Sequence, residues 1–213
     1  MPIALSPATP AIRPAPSLLA LKWAYWLMID HDGHRSLLQR LGFDDEGLAA
    51  DLGLAEMTGS NAYDPTRALL RLKHERQAFD QAFPAPDYPD RLRDNLLALG
   101  DLIGLDRVGQ RLLGLGVLLQ TEPLLGDAAG HLGRLGLNRT LRVLASLLDT
   151  PEEDFLPYLY DEGCLARHGL LEINARPGSV LGLSERLVAR HPERLKLLRF
   201  GRHPAELLTQ ACR

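Results

Sequence analysis

From Ser17 onward the apolar positions recur every three or four residues. Leu18, Leu21, Tyr25 and Met28 share one helical face, with Trp23 and Trp26 on flanking positions. Ser17 is well suited to accept a hydrogen bond at the start of that helix, and Gly33 to end it. A second helix is expected over Ser36–Leu41, stopping at Gly42. A weaker segment follows the acidic stretch Asp44, Asp45, Glu46 and reaches Met57, interrupted by Gly47 and Gly53. Asp64 followed by Pro65 is a stronger start signal, and Leu69, Leu72, Phe79 and Phe83 form an apolar stripe that stops at Pro84.

Pro84, Pro86 and Pro89 then forbid helix and disfavour a central strand, so a module boundary is expected there. Beyond it Leu92, Leu96, Leu99 and Ile103 share a helical face. Asp106 caps an apolar run from Val108 to Leu119. Gly114 and Gly116 within this run cost about 1 kcal/mol each in helix stability, which predicts the close approach of another helix. Pro123 opens a short helix through His131, Gly136 closes it, and Asn138 is expected to cap a helix carrying Leu141, Leu144 and Leu148. Thr150–Glu153 reads as a capping box with Pro151 at the first helical position and Pro157 ending the helix early. Two strand-like runs, Leu170–Asn174 and Ser179–Leu183, flank the turn composition Ala175-Arg-Pro-Gly178 and predict one β-hairpin. Ser184 then caps a helix ended by Pro192, and a last helical piece runs from Glu193 through Phe200.

This organisation divides the chain into a disordered proline-rich leader over 1–16, a helical N-terminal subdomain over 17–83, a proline-rich linker over 84–89 and a winged-helix-like domain over 90–213. Composition agrees with a mostly α fold. Aromatics are only 6% of the chain, and the apolar 46% is dominated by Leu and Ala, which favour helix over strand. A net charge of −3 selects no partner class, so nucleic-acid binding would have to rest on a local patch. Cys164 and Cys212 have no paired spacing, as in chains of a reducing compartment. The apolar stretch from Ser17 to Ile29 contains Lys22, is shorter than a membrane span and lacks signal-peptide flanks. A cytoplasmic location without membrane attachment is expected.

No catalytic, cofactor-binding or metal-ligating residue emerges, and no enzyme activity is expected of the chain itself. Gly130-His-Leu-Gly133-Arg-Leu-Gly136 is glycine-rich but follows no strand and lacks the Lys-Ser/Thr ending of a phosphate-cradling loop. His31-Asp-Gly-His34 brings two imidazoles and a carboxylate within four residues, yet no further ligand cluster is nearby in sequence, and a solvated turn explains it. Cys164 with His168 would need an oxyanion site and an orienting third group to act as a nucleophile. Glu152 and Glu153 in a first helical turn are accounted for by the helix dipole.

Three helices, a two-stranded hairpin and a closing helix, from about Asn95 to Arg190, follow the order of a winged-helix domain. In that frame Arg139 and Arg142 face phosphate or base edges, with Arg176 at the hairpin tip. Acidic residues on both sides, Glu152–Asp154 and Asp161–Glu162, break the basic surface and favour protein over DNA as partner. The runs Leu112-Leu-Gly-Leu-Gly-Val-Leu-Leu-Gln120, Leu137-Asn-Arg-Thr-Leu-Arg-Val-Leu-Ala-Ser-Leu-Leu-Asp149 and Cys164-Leu-Ala-Arg-His-Gly-Leu-Leu-Glu-Ile173 resemble the N-terminal, pre-motor region of a group of bacterial AAA-type ATPases. The resemblance covers roughly Asn95 to Leu208 and implies a winged-helix-like domain that recruits substrate or regulates a nucleotide-binding motor. No Walker A loop, Walker B strand or arginine finger lies before Arg213, so no ATPase residue is carried over, and the end within helical text at 204–212 reads as an excised domain. The expected function is a non-catalytic adaptor binding a protein partner or substrate for an ATPase module in cis or in trans. Trp23, Trp26 and Arg176 are its candidate contacts. The alternative is a winged-helix DNA-binding regulator reading through Arg134, Arg139, Arg142 and Arg176.

Overall fold

The computed structural model describes residues 15–59, 63–159, 163–176 and 178–201. The leader expected over 1–16 therefore lies outside the described residues except for 15 and 16, as does the helical text at 204–212. Among the described residues the architecture is mostly helical, with two two-stranded antiparallel sheets and one isolated antiparallel bridge. Helix α1, Leu18–Ile29, begins as its N-cap predicts, with Ser17 Oγ accepting from the Ala20 amide. Its apolar residues occupy most of its circumference, so it is buried on several sides, against α4 (Pro65–Ala82), α7 (Pro123–Gly130) and α8 (Leu137–Leu148). Asp64 caps α4 through Oδ1, and Pro65 stands in its first turn. Helices α5 (Asp90–Ile103) and α6 (Arg107–Thr121, capped by Asp106 Oδ1 on the Gly109 amide) pack on each other and on α11 (Pro192–Phe200).

Between α1 and α4 the chain departs from the expected helices. Of the stretch predicted as a helix over Ser36–Leu41, only Ser36 and Leu37 are helical, as the end of α2, His34–Leu37. Leu38–Gln39 (β1) turns back onto Gly42–Phe43 (β2), with Leu38 opposite Phe43. Both of those side chains then pack against the core, while Leu41 at the turn is 93% exposed. A continued helix would have stacked Leu41 beside Leu37, and the ribbon instead spends Leu38 and Phe43 on burial. The segment to Met57 begins as α3, Glu46–Ala49, capped by Asp45, and continues as a wide turn, Ala50–Leu54, broken at Gly53 with φ +81°.

The glycines of α6 do mark a close approach, but not the expected approach of another helix: the neighbours are side chains of irregular segments. A methyl group on Gly114 would lie 2.6 Å from Cε1 of Tyr88, and one on Gly116 2.9 Å from Cδ1 of Leu171. Tyr88 belongs to the proline-rich stretch 84–89. It donates its hydroxyl to the Arg111 carbonyl at 3.1 Å and meets Trp23 edge-on at 6.0 Å. That stretch redirects the chain without interrupting the interior: one apolar cluster runs from Leu19 through Leu112 to Leu198.

Helix α8 has Gly136 as its N-cap, two residues before the expected Asn138 cap. The capping box expected at Thr150 does not form. Thr150 Oγ1 donates back to the Leu148 carbonyl, and Glu152–Tyr158 winds as a 3-10 helix containing Pro157. After the single turn α9, Cys164–Arg167, the strand Glu172–Ile173 (β3) pairs with Leu187–Val188 (β4), not with the predicted Ser179–Leu183 run. The latter run instead touches the segment before α8, through reciprocal bonds between Leu181 and Leu135 of 2.8 and 3.1 Å. The helix expected from Ser184 is only one turn, Leu183–Arg186 (α10), opened by Glu185 accepting from the Gly182 amide. Arg186 lies at the centre of this arrangement. Its fully buried guanidinium donates to the carbonyls of Leu135, Asn174 and Ser179 and to Ser179 Oγ, and so ties together the two runs and the segment before α8.

Candidate functional site

Where α1 ends, the carbonyl of Trp26 accepts from the amides of both Asp30 and His31, Asp32 takes a left-handed conformation with φ +65°, and the Gly33 amide returns to the Leu27 carbonyl. His34 Nδ1 closes the same helix end on the Met28 carbonyl at 2.8 Å. This tight turn carries Asp30, His31 and Asp32 towards the end of α7 and the first turns of α8, because α1 lies against both helices. The three elements enclose an open cleft of about 680 Å³. His31, Asp32 and Arg35 of the α1–α2 turn, His131 at the end of α7, and Arg139 and Arg142 of α8 line it.

The charges of the cleft do not cancel. Asp30 is held by Arg76 of α4 at 2.7 Å, and Asp32 by Arg35 at 3.2 Å. Among the described residues Arg139 reaches only the His31 carbonyl, at 3.5 Å, and Arg142 has no hydrogen bond or ion pair. Both arginines are exposed, one helical turn apart on α8, with the core-facing Leu141, Leu144 and Leu148 on the opposite side. Like charges at that spacing repel, and Arg139 also stands in the first turn, where the helix dipole disfavours a cation. His131 Nδ1 pairs with Ser36 Oγ at 3.1 Å. His31 is half-buried with its Nε2 enclosed and unpartnered among the described residues. Burial, reinforced by Arg139 and opposed by Asp30 and Asp32, holds its pKa below the ordinary histidine value, so at neutral pH it is an uncharged imidazole.

Of the positions expected from sequence, Arg139 and Arg142 are brought together, and His31 joins them as part of a wall instead of a solvated turn. The second imidazole lining the cleft is His131, not the neighbouring His34. Residues so far apart in sequence leave no local signal that they line one site. Arg176 is exposed on the loop after β3, its amide donating to Asn174 Oδ1, and does not line the cleft. Trp23 is a core residue whose Nε1 donates to the Leu147 carbonyl at 3.0 Å, which removes it as a surface contact. Trp26 is half-buried beside a second groove of about 410 Å³, with the Lys22 ammonium 5.3 Å from its ring.

Cys164 and His168 sit close, with Sγ 3.7 Å from Nδ1, but their hydrogen bonds point elsewhere. His168 Nδ1 donates to the Cys164 carbonyl at 2.8 Å, and the thiol faces the Ile103 carbonyl. A ring nitrogen that already carries and spends its proton is not poised to take one from sulfur. Among the described residues no three His, Cys, Asp or Glu side chains converge as metal ligands, and no helix is long and apolar enough to cross a membrane. No protein-family model, curated protein or solved structure matches the chain.

Proposed function

We propose that this chain is a non-catalytic adaptor or regulatory domain that binds a protein partner or substrate through the cleft between the α1–α2 turn and α8 and presents it to an AAA-type motor. The observation that carries the reading is the pair Arg139 and Arg142. Their charge is unneutralised, and they stand in a concave site whose other charges are internally paired. A site of this kind suits a compact acidic group presented by a partner. The motor enters through the leucine-patterned runs of the second half, which resemble the pre-motor region of that family. A winged-helix-like arrangement is supported by the Leu135–Leu181 bridge, which sets the segment before α8 beside the loop that leads to β4.

Duplex DNA needs a continuous line of cations along its phosphates. Here Arg134 donates to the Val180 carbonyl, Arg176 lies outside the cleft, and Asp30 and Asp32 line its wall. Those features favour protein over DNA. A photo-crosslinking amino acid at the exposed position of Asn138 tests the reading in cells. It is expected to capture a protein that carries a nucleotide-binding motor, and the capture to disappear in the Arg139→Glu/Arg142→Glu double variant. Retardation of duplex DNA at low salt by the native chain but not by the double variant would replace the adaptor with a DNA-binding regulator.

A further inference from the structure

We infer that the group recognised in this cleft is a phosphate monoester on a side chain of the partner protein, held between Arg139 and Arg142 with His131 as a third contact. The inference rests on the cleft being the partner-binding surface and adds the chemistry of what enters it.

A carboxylate is satisfied by one bidentate arginine. It would leave the second guanidinium of the pair uncompensated and would relieve only part of the repulsion between them. A phosphate monoester carries close to two negative charges at neutral pH and three acceptor oxygens arranged tetrahedrally, so it can accept from two guanidiniums on successive turns of one helix. It also offsets the unfavourable position of Arg139 near the positive end of α8, whose N-cap is Gly136 and whose first turn has no acidic residue. His131 is held through Nδ1 by Ser36, which leaves Nε2 as the ring position open to a ligand. The negative groups of the wall are Asp30 and Asp32. Each is already engaged by its own arginine, and neither draws on Arg139 or Arg142. The volume, about 680 Å³, admits a phosphorylated side chain with its flanking backbone.

Three short amidated peptides of alanine and glycine, bearing at their centre phosphoserine, glutamate or serine, decide the matter when titrated into the native chain alongside inorganic phosphate. Arginine Nε–H and backbone amide signals are followed by NMR. The expected result is saturable shifts at Arg139 and Arg142 with the phosphoserine peptide, and binding about tenfold weaker for the glutamate peptide. Arg142→Gln is expected to weaken the phosphopeptide by about tenfold. Arg176→Gln, equally exposed but outside the cleft, is expected to leave it unchanged. Equal affinity for the glutamate and phosphoserine peptides, or shifts spread evenly over surface arginines, would overturn the inference. Inorganic phosphate binding as tightly as the phosphopeptide would overturn its assignment to a protein side chain. If crosslinking from position 138 still captures a motor protein while the phosphopeptide does not bind, the adaptor reading stands and the phosphate assignment falls. If the phosphopeptide binds and no protein is captured, the adaptor reading falls instead.

Discussion

Arginines play unlike parts in this molecule, and the sequence writes all of them with the same letter. Arg139 and Arg142 are exposed and aimed at a cleft. Arg111 reaches back to the end of α8, where its Nη1 donates to the carbonyl of Leu148 at 2.7 Å and that of Asp149 at 3.2 Å, a favourable place for a cation at a helix C-terminus. Arg186 is fully buried, with its charge dispersed over carbonyls and a serine hydroxyl and its Nε without a partner among the described residues; burial pulls its pKa below the ordinary arginine value. Removing that side chain strands acceptors that only a planar, forked donor can reach together. Arg186→Met is therefore expected to destabilise the fold by about 3 kcal/mol, with Arg186→Lys recovering little of it, as read from the urea midpoint. A loss below about 1 kcal/mol would mean that water satisfies those carbonyls and that the arginine is dispensable.

Helices were legible where a cap and an apolar stripe agreed, with a proline in the first turn as a further signal at Pro65. Ser17, Asp64–Pro65 and Asp106 each start a helix in the way their side chains dictate, since the bond from cap to amide is local. The short elements were not legible. α2, β1 and β2 occupy a stretch whose leucines fit a helix as well as a ribbon, and β4 takes the end of a segment with a plausible helix start. In both places burial of distant neighbours decided between local options of similar energy. The glycines of α6 show the same division. Their presence announced a close approach, and only the folded chain identified Tyr88 and Leu171 as the side chains that come close. Gly114→Ala is expected to cost about 1–3 kcal/mol despite its gain in helix propensity, because the Tyr88 ring is packed and hydrogen-bonded where the new methyl would go. Gly130→Ala in α7, with nothing within 4 Å of the added methyl, is expected to be neutral or to stabilise by about 0.5 kcal/mol. Thermal denaturation of the two variants side by side separates packing from propensity. Equal effects would contradict the assigned role of Tyr88.

At the scale of the whole molecule, the prolines at 84–89 mark a change of direction inside a continuous interior. Lys22 donates to the Pro84 carbonyl, Trp23 binds the Leu147 carbonyl, and Tyr88 sits between α1 and α6. Trp23 and Trp26 both belong to the stretch before the prolines, so their fluorescence follows that half, while far-UV circular dichroism follows all the helices. The two signals are expected to lose their native values at the same denaturant concentration. A dichroism change in two steps, with only one matching the fluorescence, would show that the halves unfold independently. The cleft is a product of the same continuity, because it exists only where α1 from the first half meets α7 and α8 from the second.

The helical character of the chain, its main helix starts and the availability of Arg139 and Arg142 on the outer side of α8 are written in the sequence. They follow from spacing and capping, which act within a few residues. The strand partners, the burial of Arg186 and Trp23, and the meeting of His31 with His131 and the α8 arginines were decided by tertiary structure. Each depends on which distant surfaces exclude water together, and a local pattern carries no term for that.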